Sequence, residues 1–427
     1  MPTINSTMYS LLIFLFTIAA ISLVAIRFRV PPFLVLFSGA LFFGIVSGMP
    51  LSEIVTTATA GMGRIFALLG LVILAGAVIA KLMQEQHQVG QVVSDLRSIT
   101  NQPFTLAGCA GYILAIPLMC CITAFVILQP VISGLGRSEE KRKGLLYTTA
   151  LASLIAFALI YPTPVIIALF AVLPETAISP LTFDLYMIPV SLLLLAGAVI
   201  LMKRRFGTEG PEEEHAEDQP PAGSGLSRAR AWTPFIVMGI VILAGGIVLR
   251  LSPSVLIQIV MFAGLITALL LAPTPVRASG FSAGAKHAGV IIFDLCGAGA
   301  LGAVIGASTL GAEAYAAFSP FLPVILVPFL LAVLVQTAQG SRVVTAVITG
   351  EIIAGTGIAA TIHPIPLILL ISGGACIVSY VTDPYFWLVQ RATGDDVAGV
   401  VKNYTLPLAA AGIAMAGIAV AADIFFF

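Results

Sequence analysis

The sequence predicts an all-α polytopic membrane protein, an inverted repeat of two five-helix units, each with a re-entrant hairpin and a broken helix. Three observations lead there: the apolar content, the placement of the basic residues, and motif pairs recurring at one separation. Of 427 residues, 59% are hydrophobic and only 9% charged, with a mean hydropathy of +1.09. Soluble domains have about a quarter of their residues charged. One bilayer crossing takes about 20 apolar residues, so the chain supplies roughly ten. The 20 basic and 20 acidic residues cancel, which gives no electrostatic footprint for nucleic acid. Cys109, Cys120, Cys121, Cys296 and Cys376 lie in apolar runs without metal-ligand or paired spacing and read as packing residues. The first apolar run has no basic segment before it and is long enough to span, so it is expected to be retained.

In chain order, spans are expected near Met8–Ile26, Pro32–Val46, Ile65–Leu82, Leu145–Leu173, Leu185–Met202, Thr233–Val248, Val255–Leu271, Val290–Leu310, Leu367–Val389 and Leu406–Ala422. Phe104–Leu135 is too short for two crossings, and Pro117 among small residues invites a mid-membrane break. It reads as a hairpin or as one long tilted helix. Basic residues decide, because they collect in cytoplasmic loops. A hairpin puts the Arg137–Lys143 cluster on the side of Arg27, Arg29, Lys81, Arg97, Lys203, Arg204, Arg205, Arg391 and Lys402, with Arg64 and Arg250 at the outer boundary. The chain then divides into a first unit (1–205), with a hairpin at about 104–136 and a broken helix at about 145–173. An acidic, Pro- and Gly-rich cytoplasmic linker (206–231) follows. The second unit (232–427) has its hairpin at about 318–358 and its broken helix at about 367–389. Both termini fall outside the cytoplasm in this topology.

The repeat shows in ordered matches. Thr123-Ala124 recurs as Thr345-Ala346 and Pro162 as Pro384, both 222 residues apart, and Gly76-Ala-Val-Ile79 recurs as Gly302-Ala-Val-Ile305, 226 apart. The first unit begins outside and the second inside, the inverted plan in which broken helices of secondary transporters meet at mid-membrane.

Candidate residues gather at the breaks and hairpin tips. Tyr161, Thr163, Ser379 and Thr382 flank the two proline breaks, where freed backbone and helix ends can hold ions or anions. Cys121, Thr123, Gly340, Ser341 and Thr345 belong to the hairpins. Asp383, an acid at membrane depth, reads as a proton-coupling site or as a helix cap. Arg342 reads as a clamp for a carboxylate or as the structural partner of Glu351 or Glu313. Asp294 and Glu351 are further coupling candidates, while Glu175, Asp184, Glu313 and His363 read as interfacial and His87, His215 and His287 as loop residues.

The second half also resembles the gluconate:proton symporters, or gluconate permeases, of the ion-transporter superfamily. That family's glycine-serine hairpin looks like Ala338-Gln-Gly-Ser341 followed by Val344-Thr-Ala-Val-Ile-Thr349. Its N-D-S-G-F-W-L-V looks like Thr382-Asp-Pro-Tyr-Phe-Trp-Leu-Val389, and its G-A-G-G like Gly297-Ala-Gly-Ala300. The first half departs: Ile116-Pro-Leu-Met-Cys-Cys121 lacks the family's aspartate and Tyr161-Pro-Thr-Pro164 its histidine; in the second half Arg342 is in a new place, because Gln336 stands at the family's usual arginine. The resemblance implies an elevator-type carrier, dimeric, for an organic anion. The expected function is transport of a small carboxylate or a sugar acid such as gluconate, driven by protons or by sodium. The alternative on the same scaffold is a cation/proton antiporter using Asp294, Glu351 and Asp383. No cofactor, metal or nucleic acid is expected.

Overall fold

A computed structural model describes residues 4–28, 30–86, 88–98, 100–136, 138–173, 178–207, 225–249, 251–310, 313, 322–380 and 382–426. Arg29, His87, Arg137, Glu175, Arg250, the acidic run with His215, and positions 318–321 of the expected second hairpin lie outside the described residues.

The described residues are helical, without strands. In order they form α1 (Ile4–Phe28), α2 (Pro32–Val46), α3 (Leu51–Glu85), α4 (Gln88–Arg97), α5 (Pro103–Ala115), α6 (Cys121–Ser133), α7 (Glu139–Leu159), α8 (Pro164–Val172) and α9 (Pro180–Phe206). The second half forms α10 (Gly225–Leu243), α11 (Pro253–Leu271), α12 (Thr274–Ala307), α13 (Val327–Gln339), α14 (Arg342–Ala354), α15 (Pro364–Ile377), α16 (Pro384–Thr393), α17 (Val397–Val400) and α18 (Leu406–Phe425). Single π-turns, Ala244–Val248 and Val401–Thr405, extend α10 and join α17 to α18. Among the described residues seven helical segments are long and apolar enough to cross a bilayer. In the first half three helices and the short α4, and in the second half three helices, precede a hairpin (α5/α6, α13/α14), a broken helix (α7/α8, α15/α16) and a last long helix.

Several elements differ from expectation for local reasons. The third helix starts at Leu51 rather than near Ile65 because Ser52, Thr56 and Thr59 dilute its apolar run without breaking the helix. Thr56 and Thr59 donate to carbonyls one turn back at 2.8 Å. Likewise α12 begins at Thr274 rather than Val290, so His287 is helical, not in a loop. Helix α10 begins at Gly225, inside the expected linker. The 15 residues of α2 reach about 22 Å at 1.5 Å per residue, short of the hydrocarbon core's roughly 30 Å. Helix α4 was not anticipated: Val89, Val92, Val93 and Leu96 bury one face, and Trp232 on α10 donates to Asp95 at 2.8 Å.

Burial separates a centre from a rim. Almost all of α7, α14 and α15 is buried, whereas α1, α9, α10, α11 and α18 expose large apolar residues such as Phe16, Leu185, Leu193, Ile240, Leu270 and Ile413. Such a rim suits lipid, and the interrupted helices sit where their free backbone meets protein rather than lipid. The two long helices α3 and α12 pack together through glycine. A Cβ on Gly61 would overlap the Gly299 carbonyl, and one on Gly284 would lie 2.6 Å from the Val78 backbone. The recurring Gly-Ala-Val-Ile motif marks where each long helix receives a hairpin. Gly76 faces Leu118 and Met119 of the first tip, and Gly302 faces Val347, Ile348 and Glu351 of α14.

Gly299→Ala places a methyl against Ile65 and the Gly61 carbonyl and should cost on the order of 1–3 kcal/mol by overpacking. Gly289→Ala, with nothing within 4 Å, should leave the melting temperature in detergent unchanged.

Candidate functional site

The first hairpin turns at Ile116–Cys120. Pro117 carries no backbone N–H to continue α5, Met119 adopts a left-handed backbone with φ 56°, and Cys120 caps α6 by accepting the Thr123 N–H at 3.4 Å. The second hairpin turns on Gly340, at φ 67°, and Ser341, which caps α14 by accepting the Val344 N–H at 3.5 Å. The first helix break spans Ile160–Thr163 and the second Val378–Asp383, each followed by a proline as the first helical residue. That position tolerates proline because its N–H would have no helical partner.

These four discontinuities meet. Cys121, Pro164, Arg342 and Pro384, the first residues of α6, α8, α14 and α16, all line one cavity of ≈ 580 Å³. Each helix amino end carries a partial positive charge and free N–H groups. The opposite wall is formed by α1, α2, α3 and α12 through residues such as Ile21, Leu36, Ile73 and Ile291.

Arg342 and Asp383 form an ion pair at the cavity edge, Nη2 to Oδ2 at 2.9 Å, with side chains only 4% and 2% exposed. Asp383 also caps α16, accepting the Tyr385 N–H at 2.9 Å through Oδ1, and accepts the Ser379 hydroxyl through Oδ2. Asp383 is thus both the cap of α16 and the buried partner of Arg342. For Arg342 the structure corrects the proposed partner: its charge is met by Asp383, while Glu351 pairs with Arg64 of α3. The guanidinium is not saturated: Nη2 is held by Asp383, while Nε makes no hydrogen bond.

Cys121, Thr123, Gly340, Ser341, Arg342, Thr382, Asp383 and, on the opposite wall, Asp294 line the cavity. Asp294 accepts the Phe33 N–H at 3.2 Å. Five other candidates are absent from its lining. Tyr161 stacks edge-on against Phe170, and the Thr163 hydroxyl is buried without a partner. Thr345 donates to Gln336 inside the second hairpin at 2.8 Å, and Ser379 lies behind Asp383. Glu351 lines a separate hollow with Thr56, Thr57 and Arg64. Asp184, expected at the interface, instead accepts the Tyr161 N–H at 2.9 Å and so satisfies backbone freed at the first break. Sequence reasoning passed over Tyr385, which lines the cavity, meets Ser153 of α7 at 2.8 Å and packs its ring on Phe125. Its place within the Thr382–Val389 motif was the available signal. It also passed over Asp395, which binds Tyr147 at 2.6 Å and Lys143 at 2.9 Å, tying α7 to the turn after α16. Among the described residues no three His, Cys, Asp or Glu side chains gather to hold a metal.

A lipid-rimmed helical bundle that brings two hairpin tips and two broken helices to one internal cavity is a membrane permease, not an enzyme. Residues 9–424 match the model of the GntP family permeases, and the chain belongs to that family. It is 25% identical over 420 residues to the low-affinity gluconate transporter of Escherichia coli K12, covering 88% of this chain and 90% of that protein. It is 24% identical over 442 residues to the inner membrane permease YgbN of the same organism, covering 94% and 95%. The crystal structure of the Alcanivorax borkumensis YdaH transporter shares the fold, with a TM-score of 0.60 at 16% identity over 87% of this chain and 89% of that one.

Two outcomes test the site's construction. Asp383→Asn leaves a buried guanidinium without its counter-charge and should lower stability by about 3–5 kcal/mol, while adding Arg342→Met should recover most of the loss. Additive losses in thermal unfolding would deny the pair. Gly340→Ala drives a methyl into the Thr382 backbone at a positive φ and should abolish transport. Gly394→Ala, at φ 69° in open space, should retain it.

Proposed function

We propose that this permease is a secondary active transporter of a small organic anion, a carboxylate or a sugar acid such as gluconate, coupled to protons. The observation that carries the proposal is the convergence of four helix amino ends and an incompletely bonded arginine on one cavity. Helix amino ends and a guanidinium fork favour carboxylates, and the relatives named as gluconate transporters support the same chemistry.

Charge accounting supports the proton. Empty, the site holds Arg342 positive and Asp383 negative and is neutral. An anion alone would make it net negative, which is costly at membrane depth. If the incoming carboxylate takes the guanidinium fork while Asp383 accepts a proton, the loaded site is neutral again. Empty and loaded forms then both cross without net charge, and substrate and proton travel together.

In the proposed transport cycle the halves are inverted repeats, and the hairpins with α7, α8, α15 and α16 move as one body against α1–α3 and α10–α12, in elevator fashion. The hairpin followed by a broken helix in each half, the cavity between the two groups and the glycine contacts of α12 with α14 support this. The protein would sit in the inner membrane as a homodimer, with the linker in the cytoplasm and both termini outside it, following the bias of Lys and Arg. Asp294, on the stationary wall, would meet the moving site electrostatically. Glu351 would instead latch α14 to α3 through Arg64.

Uptake of radiolabelled monocarboxylates, gluconate among them, into proteoliposomes tests the mechanism. An inward proton gradient of one pH unit should drive about tenfold accumulation for one proton per anion, indifferent to an imposed membrane potential. A sodium gradient without a proton gradient should drive none. Accumulation driven by sodium alone, or unchanged in Asp383→Asn, would refute proton coupling through that acid.

A further inference from the structure

We infer that the anion accepted by this cavity is a monocarboxylate with an apolar body, and that polyhydroxylated acids are poor ligands. The inference deepens, and rests on, the organic-anion function proposed above.

Most of the polar groups on the hairpin and break side are engaged. Asp383 holds Arg342, the Ser379 hydroxyl and the Tyr385 N–H. Thr382 donates to the Thr337 carbonyl at 3.0 Å, and Ser341 receives the Val344 N–H. The Tyr385 hydroxyl is turned away to Ser153. Across the cavity, Asp294 holds the Phe33 N–H at 3.2 Å. Two buried donors at the cavity remain without partners: the Nε atom of Arg342 and the Nε2 atom of Gln339. Both residues line the cavity at the second hairpin tip, and both groups are donors only. Together they suit an acceptor-only head, a carboxylate.

Apart from Thr123, His287 and Asp294, the remainder of the wall is mostly apolar. Ile21, Val35, Leu36, Ile73, Phe157 and Ile291 face the same space. A ligand hydroxyl placed there loses its water without gaining a partner, while each buried methylene should gain about fourfold in affinity. The volume, ≈ 580 Å³, lies within the range of roughly 300–1,000 Å³ typical of small-molecule sites and accommodates a branched or aromatic body. Charge is thus read at one end of the cavity and apolar shape along the other.

The test is thermal unfolding of the purified full chain in detergent with gluconate, butyrate, hexanoate, 4-methylpentanoate and phenylacetate at matched pH and ionic strength, with hexanol as the uncharged control. Stabilisation should rise from butyrate to hexanoate and 4-methylpentanoate, at concentrations at least tenfold below those at which gluconate acts. Hexanol should give none, and Arg342→Lys should remove the effect. Should Arg342→Lys not fold, Ile291→Thr keeps the fork and should narrow the preference for hexanoate over gluconate several-fold. A larger Arg342-dependent shift with gluconate than with any apolar acid overturns the inference and leaves the organic-anion function standing. No shift with any acid overturns both.

Discussion

The ion pair between Arg342 and Asp383 organises the centre of this molecule. Both side chains are withdrawn from water, and an unpaired charge so buried is costly. Their pairing therefore fixes the second hairpin tip against the second helix break. The same carboxylate caps α16 and takes the Ser379 hydroxyl, so one aspartate satisfies a charge, a helix end and a neighbouring hydroxyl. Gly340 allows the approach because a side chain there would collide with the Thr382 backbone. A buried pair of this kind is seldom the most stable filling for a core. Its position at the cavity edge, with the guanidinium Nε lacking a hydrogen bond, accords with a role in binding.

Around that pair each half contributes a hairpin followed by a broken helix, with different chemistry in the two. At the first tip and break, the groups in the equivalent places are thiols, hydroxyls and aromatic rings: Cys120, Cys121, Thr123 and Tyr161. The acid serving the first break is Asp184, which reaches it from α9 rather than from within the break. A second ion pair, Arg64 with Glu351, joins α3 to the second hairpin at a separate hollow. The molecule thus keeps one charged pair at the cavity and another between a long helix and a hairpin.

Much of the architecture was legible because the bilayer makes it so. Apolar runs of crossing length, prolines that interrupt them and basic residues on one side of the expected topology are readable from composition and order. Helix starts were less legible: α3 and α12 run farther than their apolar stretches because hydroxyls and glycines are tolerated on helices that bond their own backbone. The amphipathic α4 was invisible to a search for long apolar runs.

By itself the sequence determined the membrane class, the helical content and the proline and glycine positions at which helices stop, because each depends on local chemistry: apolar length, proline and glycine. Only the tertiary structure decided which of the candidate residues share a space. It joined Arg342 to Asp383 rather than to Glu351, sent Glu351 to Arg64, left Tyr161, Thr163 and Thr345 off the cavity wall, and brought in Tyr385. Pairing between charges depends on distance through space, and a residue's turn toward a cavity depends on what packs behind it. Neither is written in spacing along the chain.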